Sequence, residues 1–310
     1  MARIVLGIIA CALAGTAAAQ TLGFATLPTG TLNYTTASAI AKVMKEKGGM
    51  NMLVQPTAGD AAIIPMVGRN EAAIGITNAL ELAAAVKSGA QPNVRILGTA
   101  HALRTAFFVR KDSPMRTIAD LKGKRVVLGY SAMRTIQPVS LAILATAGLA
   151  EADVKPVLVP NVVRGADDFS SGAADMFFFA FGAPKVREVD ASVGGIRALE
   201  IDEHGMAAAR KITPYGYLTP VQPGPVFVGI DKPMKVYSFD NLLITNTKVS
   251  DAVVTRIIDT LVKNKADLVA VQPVLREFSL EGMYKQYDMP YHPAALKYFK
   301  DHNVKPSPLG

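Results

Sequence analysis

Apolar and polar residues follow one another in short blocks along this chain, and the block Leu22–Gly49 shows the pattern most clearly. It opens with the apolar segment Leu22–Thr26, which favours a strand, and Pro28 and Gly30 then mark a turn. Apolar residues follow at helical spacing, with lysines between them, at Ala37, Ile40, Ala41 and Met44. The block therefore predicts a strand, a turn-rich loop and a helix that ends at the glycine pair before Met50.

The loop between this strand and helix brings backbone N–H groups and short polar side chains together. Thr31, Asn33 and Thr35 can each cap the helix, and a helix N-terminus favours a small anionic or polar ligand. Loops of this composition are also common as plain connections between a strand and a helix. Both interpretations stay open on this block alone.

Strand-like segments with helical patterns between them continue along the chain. The predicted strands are Met50–Pro56, Ala73–Thr77, Val94–Ala100, Thr105–Arg110, Arg125–Gly129, Val154–Val159, Asp175–Phe179 and Asn241–Thr245. Helical patterns then occupy Ser250–Lys263, Lys265–Val269, Pro273–Phe278 and His292–Asn303. This alternation predicts an α/β fold with mostly parallel sheets, whose ligands bind at the loops beyond the carboxyl ends of the strands.

A repeated pattern divides the chain into two similar halves. Pro56 is followed by a Gly-containing turn and then by Gly68, and Pro160 is followed by a similar turn and by Gly172, so the spacing is 12 residues in both copies. A buried strand follows each glycine, and a strand, a loop and a helix precede each proline. The pattern predicts two lobes of one βαβαβ design, although such punctuation also matches by chance.

Two extended segments are expected to connect the lobes. Thr105–Arg110 crosses from the first lobe to the second, and Phe239–Thr245 returns. The second lobe, residues 108–241, is then an insertion in the first, which comprises residues 20–107 and 242–310. Two extended crossings make a hinge, and closure of two rigid lobes around a solute is a recurring motion.

The N-terminus has the pattern of a secretory signal peptide. Arg3 precedes the apolar run Ile4–Leu13, and the small residues up to Ala19 predict cleavage there, so residues 1–19 are assigned to the signal. Cys11 leaves a lipoprotein signal open. It is the only cysteine of the chain, so cleavage after Ala19 removes thiol chemistry from the mature protein. We expect an exported protein.

Composition and motifs argue against several function classes. The formal net charge is +8, but the basic residues are scattered, whereas a nucleic-acid-binding face needs them clustered. The sequence contains no G-x-S-x-G, Walker or G-x-G-x-x-G motif, and none of its four histidines has a partner at zinc-site spacing. We expect a binding protein that is not an enzyme, uses no metal or cofactor, binds no nucleic acid and is by default a monomer.

Two further residues are candidates for the cleft. Arg134 lies in Tyr130–Thr135, the second-lobe counterpart of the first loop, and its planar guanidinium suits a bidentate bond with a ligand carboxylate or sulfonate. A solvent-facing arginine on a first helical turn is the alternative. Phe181 follows the predicted strand Asp175–Phe179, so it is either a wall of the cleft or part of the core.

Four stretches of the chain resemble one family. They are Gly30-Thr31-Leu32-Asn33-Tyr34, Pro56-Thr57-Ala58-Gly59, Ile118–Val126 and Tyr291–Tyr298. Together they resemble the TAXI solute-binding proteins, the periplasmic components of one branch of the tripartite ATP-independent periplasmic (TRAP) transporters. The Y-H-P-x-A ending is the more specific match, whereas D-L-K-G-K-R-V is shared by many periplasmic binding proteins.

The resemblance implies a two-lobed class II periplasmic-binding-protein fold with two crossing strands. It also implies that the protein passes a small organic anion, a carboxylate or an amino acid such as glutamate, to a TRAP membrane permease. The residues expected to contact the solute are Gly30, Thr31, Asn33, Tyr34, Thr57, Ala58, Gly59, Asn78, Ser131, Met133, Arg134, Thr135 and Phe181. Met133 and Arg134 depart from the small residues usual in the family, and Pro65 predicts a late start for the second helix.

Three alternatives stay open. A binding protein of an ATP-driven importer for thiamine precursors or sulfonates shares the two lobes, but is not expected to have the Y-H-P-x-A ending. An exported enzyme on this fold needs an acid–base constellation in the cleft. A ligand-sensing module of a membrane receptor has the same sequence pattern as a transport protein.

Overall fold

A computed structural model describes residues 21–309, so the predicted signal peptide and Cys11 lie outside the described residues. The strands are β1 (Leu22–Thr26), β2 (Met52–Pro56), β3 (Ile74–Asn78), β4 (Val94–Arg110), β5 (Arg125–Tyr130), β6 (Lys155–Val159), β7 (Phe177–Ala180), β8 (Ile196–Ala198), β9 (Tyr217–Val221) and β10 (Met234–Asn246). The helices are α1 (Leu32–Glu46), α2 (Asp60–Gly68), α3 (Ala79–Lys87), α4 (Ile136–Thr146), α5 (Val162–Ser170), α6 (Pro184–Ser192), α7 (Met206–Ile212), α8 (Asp251–Lys263), α9 (Lys265–Val271), α10 (Leu280–Met283) and α11 (Pro293–Asp301). None of the described helices is long and apolar enough to cross a membrane.

The repeated pattern corresponds to a repeated unit of structure. The order β1-α1-β2-α2-β3 recurs as β5-α4-β6-α5-β7. In the first copy β1 is parallel to both β2 and β3. In the second copy β5 is parallel to β6, and a parallel bridge joins Val126 of β5 to Met176, the residue just before β7. We refer to these two βαβαβ copies and the elements packed on them as the two lobes. The predicted α/β architecture is confirmed, but the expectation of mostly parallel sheets is wrong, because β4 and β10 pair antiparallel with their neighbours in the main sheet.

Two long antiparallel strands, β4 and β10, take part in both lobes. In the main sheet the strand order is β2-β1-β3-β10-β4-β7, with β8 paired to β4 and β9 paired to β10. Leu243 of β10 faces Ile76 of β3 in the first lobe, and Tyr237 of the same strand faces Leu218 of β9 in the second. The expected boundaries at residues 107 and 242 fall within these two strands and stay a prediction.

The predicted strands Val94–Ala100 and Thr105–Arg110 are one continuous strand, β4. Four residues, His101–Arg104, separate the two predicted strands in the sequence, and the first of them, His101, is only 6% exposed. Its ring nitrogen Nε2 lies 3.2 Å from the hydroxyl oxygen of Thr36. Because this hydrogen bond satisfies the imidazole inside the core, the strand continues through a position that a hydropathy pattern marks as a break.

Proline positions account for two further differences from the sequence prediction. The late start predicted for the second helix is wrong, because α2 begins at Asp60 and runs through Pro65. Pro65 removes one N–H bond to the carbonyl of Ala61, and Ala61 is exposed to water, which can replace that bond. Strand β9 was not predicted, because Pro220 interrupts its pattern. It pairs with β10 alone, at an edge of the sheet, where a proline is tolerated.

Candidate functional site

A cavity lies where the two lobes meet, at the carboxyl ends of the strands. Its volume is about 40 Å³, room for roughly three water-sized groups. Most of its wall is apolar, with contributions from both lobes and from the crossing strands. The apolar side chains include those of Leu27, Leu103, Phe178, Phe179 and Phe239.

Five helices begin at this cavity. The wall includes the first residue of α1, α2, α4 and α5 and the N-cap residue of α3, which are Leu32, Asp60, Ile136, Val162 and Asn78. Each helix has at least nine residues. The partial positive charge of a helix N-terminus favours anions and negatively polarised atoms. The backbone therefore makes the cavity attractive to oxygen-rich groups although no lysine or arginine side chain of the described residues lines it.

Two of these N-termini have no side-chain cap. In α1 and α3, the side chains of Thr31 and Asn78 accept hydrogen bonds from Tyr34 and Glu81 in the first turn. In α2 and α4 no side chain caps the helix. Since α2 belongs to the first lobe and α4 to the second, each lobe directs one uncapped helix end at the cavity.

A polar network holds Asn33 in place on the cavity wall. The amides of Asn33 and Asn241 are paired reciprocally, with N···O distances of 3.2 and 3.1 Å. Nε2 of His101 lies 3.4 Å from the amide nitrogen of Asn241. Burial lowers the pKa of His101 to about 4, so the imidazole is neutral at physiological pH. The network therefore positions an amide and brings no charge to the cavity.

Asp60 is the only charged residue among the described residues of the wall. Its side chain is fully buried, and its Oδ1 accepts a hydrogen bond of 2.6 Å from the hydroxyl of Thr77. Its Oδ2 is buried without a hydrogen-bond partner. Desolvation raises the pKa of Asp60 to about 7, with a smaller contribution from the nearby charge of Glu81. A buried carboxylate oxygen without a donor is costly, so this atom is available to a ligand.

Several hydrogen bonds join the lobes around the cavity. The backbone N–H of Thr135 donates to Oε2 of Glu81 at 3.3 Å, and the Thr135 hydroxyl donates to Oδ1 of Asn78 at 3.4 Å. On the opposite side, the N–H of Lys185 donates to the carbonyl of Gly30 at 3.2 Å. These contacts hold the two lobes together on both sides of the cavity.

The structure places the predicted solute contacts in three groups. The residues on the cavity wall are Thr31, Asn33, Asn78 and Met133. The residues whose atoms meet the opposite lobe are Gly30, Ala58, Gly59 and Thr135. The others, which neither line the cavity nor meet the opposite lobe through a hydrogen bond, are Tyr34, Thr57, Ser131, Arg134 and Phe181.

Two residues of the third group are placed clearly away from the wall. Arg134 is exposed to solvent, and no hydrogen bond or ion pair of its side chain lies among the described contacts. Phe181 is 1% exposed and packs against Phe108 and Phe227, with ring centroids 5.1 and 5.4 Å apart. Phe181 is therefore a core residue of the second lobe, and the assignment of all thirteen residues to the solute stays a prediction.

Sequence reasoning missed Asp60, which directly follows the predicted contact segment Thr57–Gly59. An aspartate at the first position of a helix is ordinarily explained by its favourable interaction with the helix dipole. The missed signal is its neighbourhood, because the residues before it already belonged to the candidate site. No group of three His, Cys, Asp or Glu side chains within residues 21–309 is arranged to hold a metal ion.

Comparison with known proteins gives a family and a fold. The model of the NMT1-like family matches residues 24–302. A solved structure described as a periplasmic transporter superposes with a TM-score of 0.58 at 13% identity, covering 81% of this chain and 85% of that one. The alkanesulfonate-binding protein of Xanthomonas axonopodis pv. citri superposes with a TM-score of 0.50 at 12% identity, covering 91% and 83%.

A third structure, a periplasmic binding protein of Salmonella typhimurium with high arginine specificity, has a TM-score of 0.50 at 17% identity and covers 82% of this chain and 98% of that one. At these identities the likeness concerns the fold, which is that of the periplasmic binding proteins. The expected two-lobed binding-protein fold is thereby confirmed.

Proposed function

This chain belongs to the NMT1-like family, and we propose that it is an exported solute-binding protein that closes over a small solute and presents it to a membrane permease. The observation that carries the proposal is the convergence of five helix N-termini on one cavity between two lobes. Helix N-termini that point into a cleft between two lobes can bind a polar solute through backbone hydrogen bonds, and no catalytic step is needed. The protein acts by capture and release in the periplasm, and catalyses no reaction.

The solute we propose is a small carboxylate or an amino acid. Its carboxylate lies against the uncapped N-termini of α2 and α4, where backbone N–H groups supply the hydrogen bonds. The exposed position of Arg134 makes these helix ends a better source of positive potential than the guanidinium. The volume of about 40 Å³ admits only a few heavy atoms, so a solute of amino-acid size is held after side chains of the wall rearrange around it.

For the membrane partner we propose a TRAP-type permease. The support comes from the segments Gly30–Tyr34 and Tyr291–Tyr298, which resemble the TAXI binding proteins. In the second segment His292 is buried and its Nδ1 accepts a hydrogen bond from the N–H of Ala294, while Pro293 opens α11. This segment is thus a helix start remote from the cavity, and the family resemblance there concerns the scaffold of the first lobe.

An ATP-driven importer is the second candidate for the membrane partner. The likeness of the fold to an alkanesulfonate-binding protein favours this alternative. Uptake of the solute by membrane vesicles that contain the permease separates the two. A TRAP-type partner requires an ion gradient, so an ionophore abolishes uptake, and depletion of ATP leaves it intact. The reverse result contradicts the TRAP assignment.

A thermal-shift screen of carboxylates, amino acids and sulfonates tests the proposed function itself. A solute that binds the folded protein raises its melting temperature by mass action, by an amount that grows with concentration. Calorimetry on each hit then gives its affinity. The proposal fails if no compound of any class raises the melting temperature, or if any hit is converted to a product on prolonged incubation.

A further inference from the structure

One carboxylate oxygen of Asp60, a residue on the cavity wall, has no hydrogen-bond partner among the described residues. Oδ2 of Asp60 is fully buried and receives no hydrogen bond, whereas Oδ1 of the same carboxylate is bonded to Thr77. Among the described contacts, only five buried side-chain polar atoms are left in this way, and Asp60 supplies the single charged side chain on the cavity wall. Asp60 therefore combines a place on the cavity wall with one buried acceptor atom that has no hydrogen-bond partner.

The ionisable side chain that acts on Asp60 adds negative charge, whereas the N-terminus of α2 and the backbone N–H groups of Asp60 and Asn78 favour the ionised form of its carboxyl group. From α3, the ionisable group that acts on it is Glu81, and from β3 the hydroxyl of Thr77 donates to it. The cavity wall of the opposite lobe includes Met133, Ile136, Phe178 and Phe179, which carry no charge. No cation of the described residues compensates the Asp60 carboxylate inside the cavity.

We propose that Asp60 binds a protonated amine of the solute, so that the solute of this protein carries both an amine and a carboxylate. The inference rests on the proposed function and narrows its solute class to amino acids. An ammonium group donates three hydrogen bonds and carries the charge that the buried carboxylate lacks. The carboxylate of the same molecule lies at the uncapped helix ends, and its apolar part lies against the aromatic wall.

A competing interpretation keeps Asp60 protonated, so that its carboxyl group donates a hydrogen bond to an anionic solute. The two interpretations predict opposite responses to pH. The pKa of Asp60 is raised to about 7, so between pH 5.5 and 8 its charge increases. Affinity for an amine-bearing solute then rises with pH, whereas affinity for a carboxylate that accepts from the protonated form falls.

The test compares amino acids with the same acids lacking the amine. The probes are three pairs: L-leucine with 4-methylpentanoate, L-glutamate with glutarate, and L-alanine with propanoate. Calorimetry on the wild-type protein at pH 8 is expected to show at least one amino acid that binds tenfold or more tightly than its partner. For that amino acid, Asp60→Asn weakens binding by at least about tenfold, and the affinity of the deaminated acid stays within about threefold.

A matched control removes an equal charge elsewhere. Asp112 is exposed and remote from the cavity, so Asp112→Asn leaves all affinities unchanged. Asn at position 60 retains an oxygen that can accept from Thr77. The melting temperature of Asp60→Asn reports whether it folds. If it does not, the comparison of each pair at pH 5.5 and pH 8 in the wild-type protein decides by itself.

The outcomes separate this inference from the proposed function. If deaminated acids bind as tightly as their amino acids, or if Asp60→Asn weakens both members of a pair equally, the amine is not what Asp60 binds and the function stands. The same holds if only sulfonates or other solutes without an amine bind. If nothing in the thermal-shift screen binds, the proposed function fails and the role of Asp60 fails with it.

Discussion

A methyl group placed on Gly59 would lie 2.0 Å from the carbonyl oxygen of Ala132, in the opposite lobe. The methyl carbon is fixed to the Cα of residue 59 and the oxygen belongs to the backbone of Ala132, so neither can rotate away. Gly59 has a φ of 170°, extended backbone that any residue adopts. The missing side chain therefore serves the approach of the two lobes and relieves no strain in the loop.

Gly59→Ala is expected to prevent full closure. The lobes must separate until the methyl group clears the Ala132 oxygen, and the solute then loses contacts on one side. We expect an affinity at least about tenfold weaker, equivalent to roughly 1.4 kcal/mol. Small-angle scattering is expected to show a radius of gyration that stays at its open value when saturating solute is added.

Gly224→Ala is the matched control, because a methyl group there meets no atom within 4 Å. It leaves closure and affinity as in the wild type. Wild-type affinity in Gly59→Ala would contradict the contact between the lobes.

Asn78→Ala is expected to affect both stability and binding. Oδ1 of Asn78 caps α3 by accepting from the N–H of Glu81 at 2.8 Å, and it lies 3.4 Å from the Thr135 hydroxyl of the other lobe. Loss of the cap lowers the free energy of unfolding by about 1 kcal/mol, measured by urea denaturation. The substitution also removes the Asn78 side chain from the cavity wall and its contact with Thr135 of the other lobe, so solute binding is weakened as well.

Ser250→Ala distinguishes the two effects. Ser250 caps α8 by accepting from the N–H of Val253, and it does not line the cavity. A similar loss of stability with unchanged affinity is expected. If Asn78→Ala behaves in the same way, Asn78 caps a helix and contributes nothing to the solute.

Much of the order of strands and helices could be predicted from the sequence, because connections such as β1–α1, β2–α2 and β6–α5 are marked by glycine or proline. The repeated spacing runs from Pro56, where β2 ends, to Gly68, where α2 ends, and from Pro160, just after β6, to Gly172, just after α5. Local patterns fail where tertiary contacts decide the conformation. His101 continues β4 only because Thr36 satisfies it in the core, and Pro220 is tolerated only at a sheet edge.

The candidate site was predictable in position and less so in its charge. Thr31 and Asn33, predicted from the first loop, lie on the cavity wall. A sequence shows that Arg134 and Asp60 are near the site, but the direction of a loop side chain depends on the surrounding fold. Arg134 points to solvent and Asp60 is fully buried, so the charge at the cavity has the opposite sign from that expected.

Arg134→Ala tests the source of the positive potential. The sequence alone predicts a loss of more than tenfold, because a buried guanidinium pair is lost. The exposed position predicts a small effect, since exposed ion pairs contribute about 0 to 1 kcal/mol. We expect a dissociation constant within about fivefold of the wild type by calorimetry. A loss of affinity of more than tenfold would mean that Arg134 contacts the solute and that the helix ends contribute less of the positive potential.

Asp60→Asn is expected to stabilise the protein at high pH in the absence of solute. The pKa of Asp60 rises from 3.8 to about 7 on folding, so the folded state binds more protons and wild-type stability falls as pH increases from about 4 to 7. Asparagine does not titrate. The stability difference between variant and wild type therefore grows over this range, to at most about 4 kcal/mol.

Urea denaturation of both proteins at intervals from pH 4 to pH 8 measures this difference. Asp112→Asn, at an exposed position, is expected to give a difference that does not change with pH. If the curve for Asp60→Asn is equally flat, the carboxylate is hydrated in the folded protein and is not the desolvated group that the cavity geometry indicates.

Lys285 and Asp240 form a buried ion pair beside the crossing strand β10. The side chains are 16% and 3% exposed, and Nζ of Lys285 lies 2.7 Å from Oδ2 of Asp240. Oδ1 of Asp240 also accepts from the hydroxyl of Tyr217 in β9, at 2.7 Å. Asp240 thus joins a strand of the second lobe to the C-terminal segment that carries Lys285.

Lys285→Met leaves the Asp240 carboxylate buried without its cation, and we expect it to lower the free energy of unfolding by about 3 to 5 kcal/mol. The double variant Asp240→Asn, Lys285→Met removes both charges and is expected to recover more than half of that loss. Lys297→Met is the control, because its pair with Asp301 is 74% and 51% exposed and screened by water. If urea denaturation shows that Lys285→Met and Lys297→Met lower the free energy of unfolding equally, the ion pair of Lys285 and Asp240 is solvated and does not hold the two segments together.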